Sequence, residues 1–417
     1  MTIAHTRQKL LSFLRGSLIG VLTGLAITIF TEVVHIGANL NERYPYLIIL
    51  LPLAAFLTQY IYNHYGSIYK EGTVVAIDEI NEDASKEDED LATTQIKNPI
   101  NPVLALINLV TTFFTHLFGA SGGKEGSGVQ IGLVISSLCY KLEQKLFKTK
   151  EKYSSFLICG ASSAFAALFN APVAGILFGT RFANPSISRL ESYLSCIGGS
   201  FFAVFVSQKM HIHTLHFAKP IILKFSATNF FIVLGFAVLV GLLSILITKA
   251  MHITKEKCQA LTKNQYINVI VPATLLMVIT LSFLLFLKTN LFQGMGSTLL
   301  TKLVAGERIK GAFIFKLLLI VLTYASSFTG GEVVPLLILG ATFGSTFASL
   351  FSLPLSTFAT LGAIGMLSGG TNLPLVCFAL GFELFNYSDP TLLFVLSTVS
   401  FIFSGISGIY KHQKNPY

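Results

Sequence analysis

The chain has 417 residues, of which 53% are hydrophobic and only 12% charged, with a mean hydropathy of +0.69 and a formal net charge of +9. Soluble domains carry about twice that share of charge, so the composition excludes an ordinary soluble protein and predicts an integral membrane protein with room for ten or more spanning or half-spanning helices of roughly 20 residues. The positive charge falls in a few loops between apolar runs, which argues against nucleic-acid binding.

The basic start, with Arg7, Lys9 and Arg15, leads into an apolar run too long for a cleavable signal. Further basic clusters follow at Lys141, Lys145, Lys148, Lys150 and Lys152, at Lys249, Lys255, Lys257 and Lys263, and at Lys411 and Lys414. The positive-inside rule puts these loops and both termini on the cytoplasmic side. Apolar runs are read near 11–40, 46–63, 101–118, 128–140, 153–182, 190–207, 219–250, 267–288, 310–328, 333–351, 355–368, 373–386 and 391–410. Several are too short to span, and glycine or proline interrupts many. Such broken helices survive at membrane depth where they line a cavity or pack on protein.

Nine of the 20 acidic residues lie between Glu71 and Asp90, and the run Asp78–Asp90 reads as a solvated loop. Glu32, Glu125, Glu191, Glu332 and Glu383 remain in or beside apolar runs. Glu32 and Glu191 read as helix-end residues, and Glu383 as a structural group or a partner of another buried one. The five cysteines fall singly, without a CxxC pair, and read as small hydrophobes. His211, His213 and His216 alternate as in a loop rather than a zinc site, so neither metal nor cofactor is expected.

The stretch Phe118-Gly-Ala-Ser-Gly-Gly-Lys124-Glu125-Gly-Ser-Gly-Val-Gln130-Ile-Gly132 sets one carboxylate among glycines just before a helical run. Glycines admit close backbone approach, and the bare N–H groups of a helix start attract anions. Glu125 can occupy that place when ionised and vacate it when protonated. An ionisable residue at membrane depth is a functional candidate. The chain also repeats itself. Asn170-Ala-Pro172 and Asn372-Leu-Pro374 open similar segments, each ending in glycine at the same offset, and Gly122-Gly-Lys-Glu125 and Gly330-Gly-Glu332-Val-Val-Pro335 precede them at similar intervals. Paired interrupted helices in corresponding places predict duplicated halves with a central substrate site.

At these residues the chain resembles the CLC family of chloride channels and anion/proton exchangers. Gly123-Lys-Glu-Gly126 with Val129-Gln130 is similar to its Gly-Arg-Glu-Gly-x-x-Val-Gln signature, and Gly331-Glu-Val-Val-Pro335 stands at its Gly-x-Phe-x-Pro signature. Phe169–Phe178 resembles the segment that leads to the cytoplasmic end of the family's eighth helix. Gly408-Ile-Tyr410 resembles the start of the last helix, whose tyrosine contacts the central anion. Gly-Gly-Glu-Val before the second-half helix is similar to the bacterial fluoride/proton exchangers of the family. Those proteins also lack the cytoplasmic-side glutamate, and here Arg181 and Phe182 stand in its region. Three positions depart from that branch: Glu71-Gly72-Thr73-Val74 stands at the first-half anion loop, Val334 where threonine is frequent, and Ile406 where histidine is.

The resemblance implies an all-α polytopic fold of two inverted halves, about 11–207 and about 218–417, with about 17 or 18 helices. It implies a single transmembrane domain over 1–417 without a cytoplasmic regulatory domain, and a homodimer in the bacterial inner membrane. The expected function is fluoride export by fluoride/proton antiport, with halide, protons and the lipid bilayer as partners; alternatives are a chloride/proton antiporter or a passive chloride channel. A membrane-embedded enzyme with Glu125 and Glu332 as acid and base is a further, weaker reading. Glu125 is the expected gate, and Glu332 a proton relay or anion-site group. The anion is expected to meet Gly123, Lys124, Gly126, Gly331, Val333, Val334, the Tyr410 hydroxyl and Thr73. Lys124 reads equally as an anion-concentrating charge or a solvated flank.

Overall fold

The computed structural model describes residues 2–65, 72–85, 100–149, 151–184, 190–211, 215, 217–328, 330–405, 408–410 and 412–414. Sixteen α-helices and one short 3-10 helix, with no strand among the described residues, make the all-α fold expected. They are α1 (Thr2–Arg43), the 3-10 turn Pro45–Leu50, α2 (Leu51–Tyr65), α3 (Thr73–Ser85), α4 (Pro102–Leu117), α5 (Glu125–Phe147), α6 (Tyr153–Phe169), α7 (Pro172–Arg181) and α8 (Leu190–Lys209). There follow α9 (Ala227–Gln259), α10 (Gln265–Phe286), α11 (Ser297–Val304), α12 (Ala312–Ala325), α13 (Val333–Leu350), α14 (Leu355–Thr371), α15 (Pro374–Glu383) and α16 (Pro390–Ser404).

Six helical segments among the described residues are long and apolar enough to cross a membrane. Five more apolar helices, among them α4, α6 and α12, are too short to do so. Side chains such as Phe231, Leu246 and Leu285 stand exposed on the outer faces of α9 and α10. In water they would form an aggregation-prone surface; in a bilayer they face lipid.

Close packing rests on small residues, as membrane helices require. Along α1, Gly16, Gly20 and Gly24 lie directly on the backbone of Ser195, Gly199 and Ala203 in α8. Gly132 of α5 abuts Gly160 and Ala164 of α6, and Gly340 of α13 abuts Gly362 and Met366 of α14 in the same manner. Asn170 (φ 53°) and Asn372 (φ 57°) end α6 and α14 in the left-handed conformation that asparagine tolerates. Each is followed by a ten-residue helix, α7 or α15, with proline in its first turn.

Several elements differ from the sequence reading. The acidic run is helical up to Ser85, and Asp83 is buried because its Oδ2 accepts the Ser154 backbone N–H (2.7 Å) at the start of α6. The rest of that run lies outside the described residues. Residues 153–182 form two helices broken at Asn170, and the run from 219 becomes helical only at Ala227, where Ser226 caps α9. Glu32 lies well inside α1, not at a helix end, within electrostatic reach of Lys124. Glu191 does open α8. Gly405 (φ 62°) stops α16, and residues 408–410 and 412–414 are non-helical, so no last helix starts at Gly408. The short amphipathic α11 falls outside the apolar runs, between 288 and 310.

Candidate functional site

Two helix starts meet at two glycine loops. Lys124 stands just before α5 and Glu332 just before α13, and neither caps its helix through a side chain. No N-cap side chain therefore takes up the first N–H groups of either helix. The loops are joined edge to edge: Gly123 N–H donates to Gly331 O (3.0 Å) and Gly331 N–H donates to Gly123 O (2.9 Å). A Cβ on Gly331 would lie 2.8 Å from Glu125 N and 2.9 Å from Glu125 Oε2, so only glycine permits this approach. Gly126 faces Gly330 and Gly331 across the same contact.

Glu125 is 2% exposed. Its carboxylate is surrounded by the backbone N–H groups of Glu125, Lys124 and Val334, so donors from both helix starts converge on it. Even so, Oε2 makes no hydrogen bond of ordinary geometry. That one oxygen lies in a donor-rich place without being fastened there. Val333 and Val334 are buried as the first residues of α13, and what Val334 presents to Glu125 is its backbone. Glu332 is half-buried at the second helix start, within electrostatic reach of Lys255. Lys124 is half-buried too and feels both Glu125 and Glu32, so it is not a freely solvated flank.

Tyr410 arrives from the far end of the chain. Ile409 N–H donates to Gly370 O (2.8 Å) near the end of α14, and the buried Tyr410 hydroxyl comes within electrostatic reach of Glu332 and Glu125. Thr73 stands apart from the glycine contact. It is the first residue of α3, after Gly72 (φ +62°), whose Cα faces Gln130 Nε2. Gln130 is five residues beyond Glu125 on α5, which is about 7.5 Å along the axis. Glu71 lies outside the described residues.

The surrounding framework uses residues that the sequence reading passed over. Lys316 of α12 is fully buried, and its ammonium donates to Ser121 Oγ (3.0 Å), Phe292 O (3.0 Å) and Gly294 O (2.6 Å). Ser121 N–H donates to Thr323 Oγ1 (2.9 Å), so α12 holds the loop before Glu125 twice. On the other side, Asn108 donates to Gln130 (2.5 Å) and Thr112 to Ser127 (2.7 Å), which fixes α4 to α5. A cavity of about 280 Å³ beyond the loop is lined by Asn41, Glu42, His116, Gln293 and Gly294. A smaller one, about 40 Å³, opens between Ser121, Gly122, Tyr324, Gly331 and Glu332.

Glu383, at the end of α15, accepts the backbone N–H groups of Val173 (2.9 Å) and Ala174 (2.8 Å). It caps α7 rather than meeting a side-chain partner. The cysteines are free thiols, three of them buried. Of the three alternating histidines only His211 is among the described residues, and no group of three or more metal-ligating side chains forms among those residues.

Residues 54–407 match the family described as voltage gated chloride channel. The chain belongs to that family. It is a membrane protein, and its function is the anion transport of the family, whose members are transporters or channels and not enzymes. A chloride/fluoride channel protein of Pseudomonas syringae pv. tomato is 26% identical over 96% of this chain and 85% of its own length. A solved structure titled as a CLC-type fluoride/proton antiporter superposes with a TM-score of 0.84 at 25% identity, covering 99% of both chains. An H(+)/Cl(-) exchange transporter of Vibrio vulnificus is 26% identical over 63% of this chain and 58% of its own.

Proposed function

We propose that this chain exports fluoride in exchange for protons, with Glu125 as the group that alternates with the anion. The observation that carries the reading is the buried Glu125 carboxylate, ringed by backbone N–H groups of two facing helix starts yet with Oε2 unfastened. Ionised, it fills the anion's place. Protonated, it loses its claim on those donors and can swing out, and an anion takes them. One site then serves both ions in turn, which couples their movements.

Fluoride is small and strongly hydrated, so its site must replace water with close donors. The N–H groups near Gly123, Gly126, Gly331, Val333 and Val334, the Tyr410 hydroxyl and a protonated Glu332 provide these. Thr73 and Lys124 line the approach. The likeness to the fluoride/proton antiporter structure over 99% of both chains supports fluoride, and the shorter likeness to the Vibrio chloride exchanger supports chloride as the second reading. The recurrence of glycine seam, left-handed asparagine and ten-residue helix supports two inverted halves forming one transmembrane unit. In this reading the chain works as a homodimer in a bacterial inner membrane with both termini cytoplasmic.

The test is efflux of fluoride and of chloride from vesicles holding the purified protein, with a pH electrode recording proton movement, before and after Glu125→Gln. Uphill fluoride movement driven by a proton gradient, lost in the variant, is the expected result. Chloride flux indifferent to pH would overturn it.

A further inference from the structure

In the region of the cytoplasmic-side glutamate, which the fluoride/proton exchangers lack, this chain places stacked aromatics. Phe182 is fully buried and stacks on Phe178 (5.0 Å, 10°), which stacks on Phe165 (4.3 Å, 14°). These three rings carry no titratable group. Titratable side chains gather instead on the other flank, around Glu332. The Lys-rich end of α9 lays Lys255 Nζ 4.7 Å from the ring centre of Tyr324 on α12, and sets the His252 ring edge-on to the same ring at 5.9 Å. Tyr324 and Lys255 both lie within electrostatic reach of Glu332. His252, Tyr324 and Glu332 are each half-buried. The cavity of about 40 Å³ touches Tyr324, Glu332 and Ser121 together. That is room for a water molecule with polar partners on several sides.

We propose that His252 and Tyr324, with a water in this cavity, form the proton route between Glu332 and the Lys-rich face of the protein. The proposal rests on the antiport reading above. A proton leaves the Glu332 carboxyl as its O–H bond breaks, and an O–H bond forms on the water. The Tyr324 hydroxyl accepts a proton from that water while releasing its own to a His252 ring nitrogen. His252 passes the proton to solvent, and nothing is oxidised or reduced. The charged and titratable groups facing the route are Lys255 and His252 on α9, Tyr324 on α12, Glu332, and Tyr410 behind Glu332. Lys255 supplies the positive charge that balances Glu332 whenever its proton has gone.

The experiment follows proton and fluoride fluxes together in vesicles holding the full chain, with chloride as a parallel arm. Tyr324→Phe keeps the ring but removes the hydroxyl, and His252→Ala removes the imidazole. Each is expected to slow proton-coupled flux about a hundredfold or more, the usual scale for losing a proton-transfer group. Added free imidazole should restore the His252→Ala protein, which a purely structural lesion would not allow. Unchanged coupled flux in either variant overturns the route, and so does a His252→Ala loss that imidazole leaves in place. Wild-type protein that moves neither halide with protons would instead overturn the antiport reading itself.

Discussion

Gly123 and Gly331 exchange two backbone hydrogen bonds, of 3.0 and 2.9 Å, and so weld the loop before α5 to the loop before α13. A methyl group on Gly331 would press on the backbone N of Gly126 and on the backbone and carboxylate of Glu125. Gly331→Ala is therefore expected to reduce anion flux at least about tenfold, since overpacking costs about 1–3 kcal/mol and falls on the transport site. Gly235 in α9 has nothing within 4 Å of an added Cβ, and Gly235→Ala should keep wild-type flux. Vesicle efflux of the two proteins side by side checks both.

Lys316 holds three neutral acceptors with one buried ammonium. Lys316→Met preserves much of the side chain's length but leaves Ser121 Oγ, Phe292 O and Gly294 O without their donor. Each stranded buried group costs about 1–3 kcal/mol. The melting temperature in detergent should fall clearly, and more than for Ser121→Ala, which strands only one of the three bonds. Equal melting of the two variants would contradict this.

Asp83 is the cap of α6 and reaches it from a different helix. Asp83→Ala should cost about 1 kcal/mol, the usual scale for a lost N-terminal cap. Asp83→Asn retains an acceptor oxygen and should recover a good part of that. Chemical or thermal unfolding of the three proteins gives the order wild type, Asn, Ala.

Glu383 ties the end of α15 to the start of α7 with two bonds from one carboxylate. Glu383→Gln can keep one of them, whereas Glu383→Ala keeps neither. Hydrogen exchange at Val173 and Ala174 should therefore quicken slightly in the first variant and strongly in the second, with little change in the protection of α5.

The elements legible in the sequence are those whose causes are local. Glycines crowd around Glu125 because the backbone must come close there, and Asn170-Ala-Pro172 and Asn372-Leu-Pro374 spell out a left-handed stop followed by a helix start. What could not be read depends on partners far along the chain. The acids from Asp78 look like a water-facing loop until the Ser154 N–H is placed beside Asp83. Glu32 looks like a helix end until Lys124 comes alongside. Lys316 is one cation in an apolar run, and nothing near it announces two carbonyls and a hydroxyl from other segments. His252 and Tyr324 lie in separate runs from Glu332, with no spacing to connect them.

The glycine face of α1 carries a consequence for how the molecule is made. Gly16, Gly20 and Gly24 are covered by α8 at Ser195, Gly199 and Ala203, which a ribosome reaches long after α1 has left its tunnel. During that interval the first helix must wait in the bilayer with its groove unfilled, open to any other small-faced helix nearby. Maturation therefore hinges on the arrival of α8, and a chain truncated before residue 190 should remain prey to membrane quality control.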